Sequence, residues 1–267
     1  PAGSPITATD WTQDNWGEVL LACPAGGAIY QWSPQVGNQQ ASVLSAGPAF
    51  NDGMCVAMPQ RQIIAWQSSF GGIQDPLLLR WCDVSDYTIW NASSLNQAGS
   101  FHLPRGSKIV GCLQGPNSML VWTDLAIWTM TYVGPPDVYG FNEMALGCGL
   151  IGRHAMAVLG GGVYWMSQKQ FFEFSGNGVQ PIQCQIWDVI FQNLDTNNLQ
   201  KIRCAANSQF NEIAWFYPSV NGGGEVDSYV KYNTQMRAWD FGPLGRTAWI
   251  DQSVLGSPIG AGTDNYI

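Results

Sequence analysis

One recurring unit constrains this chain more than any other feature: a short apolar strand, a tight turn, and a second strand that carries a tryptophan. Its tidiest copy lies in residues 149–178. There, residues 155–159 form an apolar run, Gly160, Gly161 and Gly162 supply positive φ for a turn, and residues 163–166 resume as an apolar-aromatic strand. Residues 167–170 read as a polar turn, 171–174 as a third strand and 175–178 as a closing turn. A meander this small buries too little apolar surface to stand alone, so it needs copies of itself or a second sheet.

Copies are present along the chain. Residues 18–23 and 28–32, joined at 24–27, form a first copy, preceded by a lead-in at 1–10 and an aromatic-rich turn at 11–17. Residues 53–58 and 62–66, turning at 59–61, form a second; a polar loop at 67–75 then leads to strands at 77–82 and 88–90 and a polar surface excursion at 91–105. Residues 109–113, 119–123 and 126–132 make a third, and the 149–178 stretch is the fourth. A fifth comprises 202–206, 212–217, 228–232 and 237–241 with a glycine-rich tip at 221–224, and 247–251 with 259–261 begins a sixth. The matching aromatic anchors are Trp32, Trp66, Trp122, Trp165, Trp215 and Trp249. Their spacing brackets the length of a four-stranded blade, which favours a β-propeller over a two-sheet sandwich.

The reading is therefore all-β: a β-propeller-like array of short antiparallel blades, with residues 1–267 as a single domain that is the central part of a longer chain. One segment departs from the strand period. In residues 185–194, Ile186, Trp187, Val189, Ile190, Phe191 and Leu194 recur mostly three and four apart, which predicts a small helical insertion between blades over 185–199.

Composition narrows the function. Charged residues make up only 11% of the 267, while there are 31 glycines and 13 tryptophans, the mixture of many short strands with glycine turns. The formal charge is −8, and the four lysines, Lys108, Lys169, Lys201 and Lys231, are scattered, so a phosphate-binding surface for nucleic acid is not expected. No apolar run reaches transmembrane length, and the first nine residues lack the pattern of a signal peptide, so a soluble, unsecreted protein with no membrane partner is expected. Cys23, Cys55, Cys82, Cys112, Cys148, Cys184 and Cys204 are odd in number and form no C-x-x-C pair, which predicts free thiols in a reducing compartment.

No catalytic, cofactor-binding or metal-binding residues are expected. His102 and His154 stand without metal-ligand spacing, and no serine occupies a nucleophile elbow. The carboxylate pairs Asp83 with Asp86 and Asp10 with Asp14 lie in turns, where aspartate bonds its own backbone. The glycines at 160–162 and 222–224 read as hairpin turns rather than phosphate cradles, and Asn91-Ala-Ser93 as an unused glycosylation acceptor. Tryptophans at strand ends are expected to pack between blades more than to stack on sugars.

Longer phrases carry a resemblance. They are Asp14-Asn-Trp-Gly-Glu-Val-Leu-Leu-Ala-Cys-Pro-Ala-Gly-Gly27, residues 117–123 leading into Tyr132-Val-Gly-Pro-Pro136, Cys148-Gly-Leu-Ile-Gly152, Tyr164-Trp-Met166, Asn207-Ser-Gln-Phe-Asn-Glu-Ile-Ala-Trp-Phe-Tyr-Pro218, Thr247-Ala-Trp-Ile-Asp251 and Ala261-Gly-Thr-Asp264. In these phrases the chain resembles, over nearly its whole length, the nozzle family of short-tailed bacteriophages, tail accessory proteins of packaged-DNA stabilisation. The resemblance implies a non-enzymatic virion subunit without cofactor. Six copies would form a homo-oligomeric ring below the portal and its adaptor, retaining packaged DNA and conducting it at ejection. Its implied partners are the adaptor (head-to-tail connector) protein, tail fibres, spikes or a tail needle, and genomic DNA passing without sequence-specific binding. The implied location is the phage tail, with assembly in the host cytoplasm. The rival reading is a glycan-binding or glycosidase-type β-propeller.

Overall fold

The computed structural model describes residues 10–267 apart from Asn38, Asn177, Leu255 and Asn265; of the lead-in at 1–10, residues 1–9 lie outside the described residues. The fold is an all-β propeller built from five four-stranded antiparallel sheets, each an up-and-down meander. The first blade is Trp11–Trp16, Val19–Pro24, Tyr30–Trp32 and Ser42–Val43. The second is Gly53–Ala57, Gln62–Trp66, Leu78–Trp81 and Gly99–His102, with a small Ser69–Phe70/Ile73–Gln74 hairpin inserted. The third is Ile109–Gln114, Met119–Thr123, Ala126–Gly134 and Val138–Leu146. The fourth is Met156–Leu159, Gly162–Met166, Phe171–Ser175 and Gly178–Ile182, and the fifth is Arg203–Asn207, Glu212–Pro218, Val226–Asn233 and Ala238–Gly242. Ala248–Ile250 pairs with Ile259–Ala261 as a further two-stranded sheet.

The described chain divides into two compact units. One holds the residues as far as Gln114 with Ser118–Thr123 and Trp128–Asn142; the other holds Gly115–Asn117, Asp124–Ile127 and Glu143–Ile267. In the first unit, neighbouring blades are joined through their first strands. Thr12 Oγ1 accepts the Met54 amide at 2.9 Å and Asp14 Oδ2 accepts the Val56 amide at 2.7 Å. The two acceptors alternate along Trp11–Trp16, so one face of that strand satisfies the backbone of the next blade. Gln67 Nε2 likewise donates to the Ile109 carbonyl at 2.7 Å. In the second unit, the Cys204 amide donates to the His154 carbonyl at 2.7 Å, and the Ser208 amide meets the Asp251 carboxylate at 3.1 Å.

The core is made where second strands carry their tryptophan. Trp66, Trp122, Trp165 and Trp215 are all fully buried. Trp165 Nε1 donates to the Cys148 carbonyl at 2.7 Å and Trp215 Nε1 to the Ala155 carbonyl at 3.1 Å, so these two indoles also close a polar bond. Two of the expected anchors are not equivalent to these. Trp32 lies half-buried on a third strand, and the register position of the buried tryptophans is filled in the first blade by Cys23, opposite Thr12. Trp249 sits on the first strand of its pair, opposite Gly260, with Nε1 bonded to the Ala206 carbonyl at 2.8 Å.

Other expectations are corrected by the strands themselves. Residues 11–16 form a strand, not a turn, because Thr12 and Trp16 are buried in alternation with exposed neighbours while Gly17 takes the turn. Only Gly160 and Gly161 have positive φ; Gly162 already belongs to the following strand. The fourth blade has a fourth strand, Gly178–Ile182, which Pro181 disguised; a proline is tolerated there because the strand is at the sheet edge. The strand expected at 88–90 is absent, whereas Gly99–His102 and Val138–Leu146 close the second and third blades as outer strands. The helical insertion is short: an α-helix at Trp187–Phe191 with Ile190 buried, and a 3-10 turn at Leu199–Lys201. Among the described residues no helix is long and apolar enough to cross a membrane.

Candidate functional site

Two concavities have the build of interaction sites, one in each unit. The larger, about 820 Å³, is an aromatic groove flanked by the outer strands Gly99–His102 and Val138–Leu146. Its floor is set by Trp81, which lies opposite Gly99 in register; a Cβ on Gly99 would come within 2.6 Å of the indole Cζ2, so only glycine allows the ring to lie there. Trp81 Nε1 donates to the Gln97 carbonyl at 3.0 Å. Tyr139 meets the Trp81 ring edge-on at 5.2 Å, and its hydroxyl donates to Gln62 Oε1 at 2.8 Å. The Tyr132 hydroxyl donates to Gln97 Oε1 at 2.6 Å, and Gln62 Nε2 donates to the Cys82 carbonyl at 2.7 Å.

Burial raises the Tyr139 phenol well above its ordinary range, so it remains a neutral donor. At the rim, Phe101 and Phe141 stack face to face at 4.0 Å with planes 4° apart, one ring from each wall. Phe101 is 36% exposed and Val133 58% exposed, while the carboxylate-bearing Asp137 stands at the mouth. The groove is thus a rigid apolar trough whose phenols are already engaged and whose two walls are sheet edges. Such an arrangement suits apolar side chains of a docked chain rather than a reacting small molecule.

The second concavity, about 480 Å³, lies beside the short helix and is lined by Lys169, Gln170, Gln183, Cys184, Gln185 and Trp187 together with Ile182. Trp187 Nε1 donates to the Lys169 carbonyl at 2.6 Å, and its ring stacks on Phe191 at 5.4 Å. Burial raises the Cys184 thiol, keeping it protonated.

The residues weighed from sequence fall where turn and packing chemistry puts them. Asp83 Oδ1 accepts the Val84 and Gln97 amides, both at 2.8 Å, and Asp86 accepts the Thr88 amide and hydroxyl, which lower its pKa. Asp10 accepts the Trp11 amide, whereas Asp14, expected in a turn, lies within the strand Trp11–Trp16 and accepts the Asn15 amide with Oδ1 and the Val56 amide of the next blade with Oδ2. The tip at 221–224 is held by Asp227, whose carboxylate takes the Ser219 amide at 2.8 Å and the hydroxyl at 2.6 Å. His102 does gain a partner that spacing alone did not disclose, Asp75 at 3.3 Å on the surface. Among the described residues no group of three or more histidine, cysteine or acidic side chains could hold a metal ion. All seven cysteines are free thiols, and burial pushes Cys82 up to about 12.

Sequence reasoning missed the groove. Its rings come from segments far apart in the chain: Phe101 stands in the stretch expected as a polar excursion, and Tyr139 and Phe141 on a strand in residues to which the sequence pattern assigns no element. The alternation within Val138–Leu146, with Tyr139 and Phe141 on one side and polar or small residues between, was the available signal.

No known family profile matches the chain, and no curated protein matches it either. Among solved structures the chain is similar to the β-propeller domain of Cps50 (Swd1) from Myceliophteria thermophila. That match has 10% identity, covers 95% of this chain and 80% of the other, and gives a TM-score of 0.54. The chain is also similar to dihydro-heme d1 dehydrogenase NirN, solved in complex with DHE, with 12% identity over 92% of this chain and a TM-score of 0.51; it spans about half, 52%, of that chain. At these identities the likeness is one of fold, and the fold it shows is the β-propeller.

Proposed function

We propose that the chain is a non-enzymatic structural subunit of a short-tailed phage tail, of the nozzle type, in which six copies form a ring below the portal and its adaptor. The ring retains packaged DNA and conducts it at ejection. The observation that carries this reading is where the resembling phrases fall. Asp14 to Gly27 runs from the middle of the first strand through the second strand of the first blade, Asn207 to Pro218 covers the turn and second strand of the fifth, and Tyr132 to Pro136 leads into the tip of the long hairpin beside the aromatic groove. The phrases therefore fall on blade strands and on a hairpin tip with Val133, Pro135 and Pro136 exposed, a placement that supports a role in assembly.

The exposed rim of Phe101 and Val133 supports a subunit or adaptor contact, because a rimmed apolar patch beside unpaired sheet edges is a docking surface. A ring of subunits each carrying a formal −8 repels duplex phosphate, which lets DNA slide without sequence-specific binding. Assembly in a host cytoplasm agrees with seven free thiols. Fibres, spikes or a needle would attach to the same ring.

Native mass spectrometry of the full chain, alone and mixed with its adaptor, tests assembly. A closed six-copy ring is expected, and Phe101→Asp with Val133→Asp should break the ring or its adaptor contact while leaving the circular dichroism spectrum unchanged. A wild-type chain that stays monomeric with the adaptor present would overturn the reading. A glycan-binding propeller is the second reading, favoured by the pocket beside Trp187; a glycosidase would in addition need two carboxylates facing one cleft.

A further inference from the structure

We propose that the pocket beside the Trp187–Phe191 helix is a saccharide-binding site for a pyranose that carries a carboxylate, such as a hexuronate or a sialic acid. The inference concerns the folded subunit and does not rest on ring assembly.

The first argument is the aromatic platform. Trp187 is 39% exposed, yet its orientation is fixed from two sides, by the Nε1–H bond to the Lys169 carbonyl at 2.6 Å and by stacking on Phe191 at 5.4 Å and 23°. Phe191 is in turn braced by Phe171 at 5.3 Å, and Phe171 is fully buried. An indole held in this way loses little freedom when a ligand arrives. One of its faces is backed by Phe191, and the pocket gives a ligand access to the rest of the ring. A flat amphipathic ring of this kind matches the C–H face of a pyranose, which hides apolar area while its hydroxyls stay free to bond.

The second argument is the polar lining. Gln170, Gln183 and Gln185 converge on the same space of about 480 Å³, a size within the range of about 300–1,000 Å³ usual for small-molecule sites. Each amide offers both donors and an acceptor, the pairing that vicinal hydroxyls require. The segment that presents Gln183 is anchored, because Trp239 Nε1 donates to the Gln183 carbonyl at 2.9 Å. The Gln170 carbonyl likewise accepts the Ser167 amide at 2.8 Å, so these two glutamines project from held backbone.

The third argument is charge. Among the described residues Lys169 is the one ionisable cation in the lining and no carboxylate shares it; the neutral Cys184 thiol completes the wall. On a chain with a formal charge of −8, a cation facing a polar pocket without an acidic neighbour in the lining selects an anion. A carboxylate on the sugar fits Lys169, whereas an amino sugar does not.

The test is NMR titration of the 15N-labelled chain, following the Trp187 indole N–H. The probes are oligogalacturonate, a hyaluronan tetrasaccharide and a sialic acid oligomer, each beside its methyl ester. At least one acidic probe should shift the indole signal saturably and bind several-fold more tightly than its ester. Lys169→Met should reduce the acid to the affinity of the ester while leaving the ester unchanged, and Gln183→Ala should weaken both. Trp187→Ala should remove binding altogether, and the two other variants, which alter exposed or half-exposed side chains, keep the test valid if that one unfolds. The proposal is overturned if no acidic probe shifts the indole up to about 10 mM, if acid and ester bind equally, or if binding survives a folded Trp187→Ala. None of these outcomes bears on the ring, since the experiment reads the isolated subunit.

Discussion

Gly53 lies directly opposite Trp66 across the first hairpin of the second blade, and a Cβ at Gly53 would stand 2.3 Å from the indole Cζ2. The tryptophan covers its cross-strand glycine, and the same exchange of volume recurs where Trp81 faces Gly99 and Trp249 faces Gly260. Trp66 is fully buried, so neither ring nor backbone has room to yield. Gly53→Ala should therefore destabilise the fold by about 1–3 kcal/mol through overpacking, and Trp66→Ala by about 3–5 kcal/mol through the cavity it leaves. Urea denaturation of the two single variants and of the double variant Gly53→Ala with Trp66→Ala checks this: the pair should cost less than the sum of its parts. Strict additivity would mean that the two positions do not share one volume.

The joint between the first two blades rests on two side-chain acceptors, Thr12 and Asp14. Removing the Asp14 carboxylate leaves the Val56 amide without its partner, at a cost of about 1–3 kcal/mol if no water replaces it. Hydrogen exchange should show the Val56 amide losing protection in Asp14→Ala, and the Met54 amide in Thr12→Val, with little change in the fourth and fifth blades. A uniform loss of protection would indicate global destabilisation instead of a local joint.

Alkaline pH should weaken the fold. Burial pushes the Cys82 thiol from its ordinary value of 9.0 to about 12 and Cys148 to about 11, and it raises Cys204 as well. Cys55 is raised first by its hydrogen bond with Cys112 and then by burial. A folded-state pKa above the unfolded one means that the native state keeps a proton the unfolded chain releases. Stability is therefore complete below pH 9 and falls as pH rises through the folded values, by up to about 1.4 kcal/mol per pH unit for each such thiol. Urea midpoints at about pH 8 and about pH 10 should differ markedly, and Cys82→Ala should flatten the slope by about one proton. A midpoint that holds steady across this window would contradict the burial of the thiols.

The blades were legible in the sequence because their second strands are short apolar runs that carry a tryptophan at or next to their end and follow tight turns. Gln62–Trp66, Met119–Thr123 and Gly162–Met166 are buried throughout or nearly so, and a buried strand needs no alternation to be recognised. Outer strands were less legible. Gly99–His102 is half or fully exposed and follows a polar loop, and Gly178–Ile182 contains a proline, so local composition pointed to turns while pairing with a finished neighbour made strands. Both candidate sites lie on this less legible ground. Trp187 was identified within a helical period, but its exposure depends on how the insertion lies against Lys169, which no local pattern encodes.

Whether these blades build the proposed ring on the tail axis is decided by cryo-electron microscopy of phage particles that carry the chain. A six-fold ring of propeller density is expected immediately below the adaptor, centred on the DNA path, with the Phe101 and Val133 rim in contact with a neighbour or the adaptor. Density for the chain found only in the fibres, off the axis or outside the particle would contradict it.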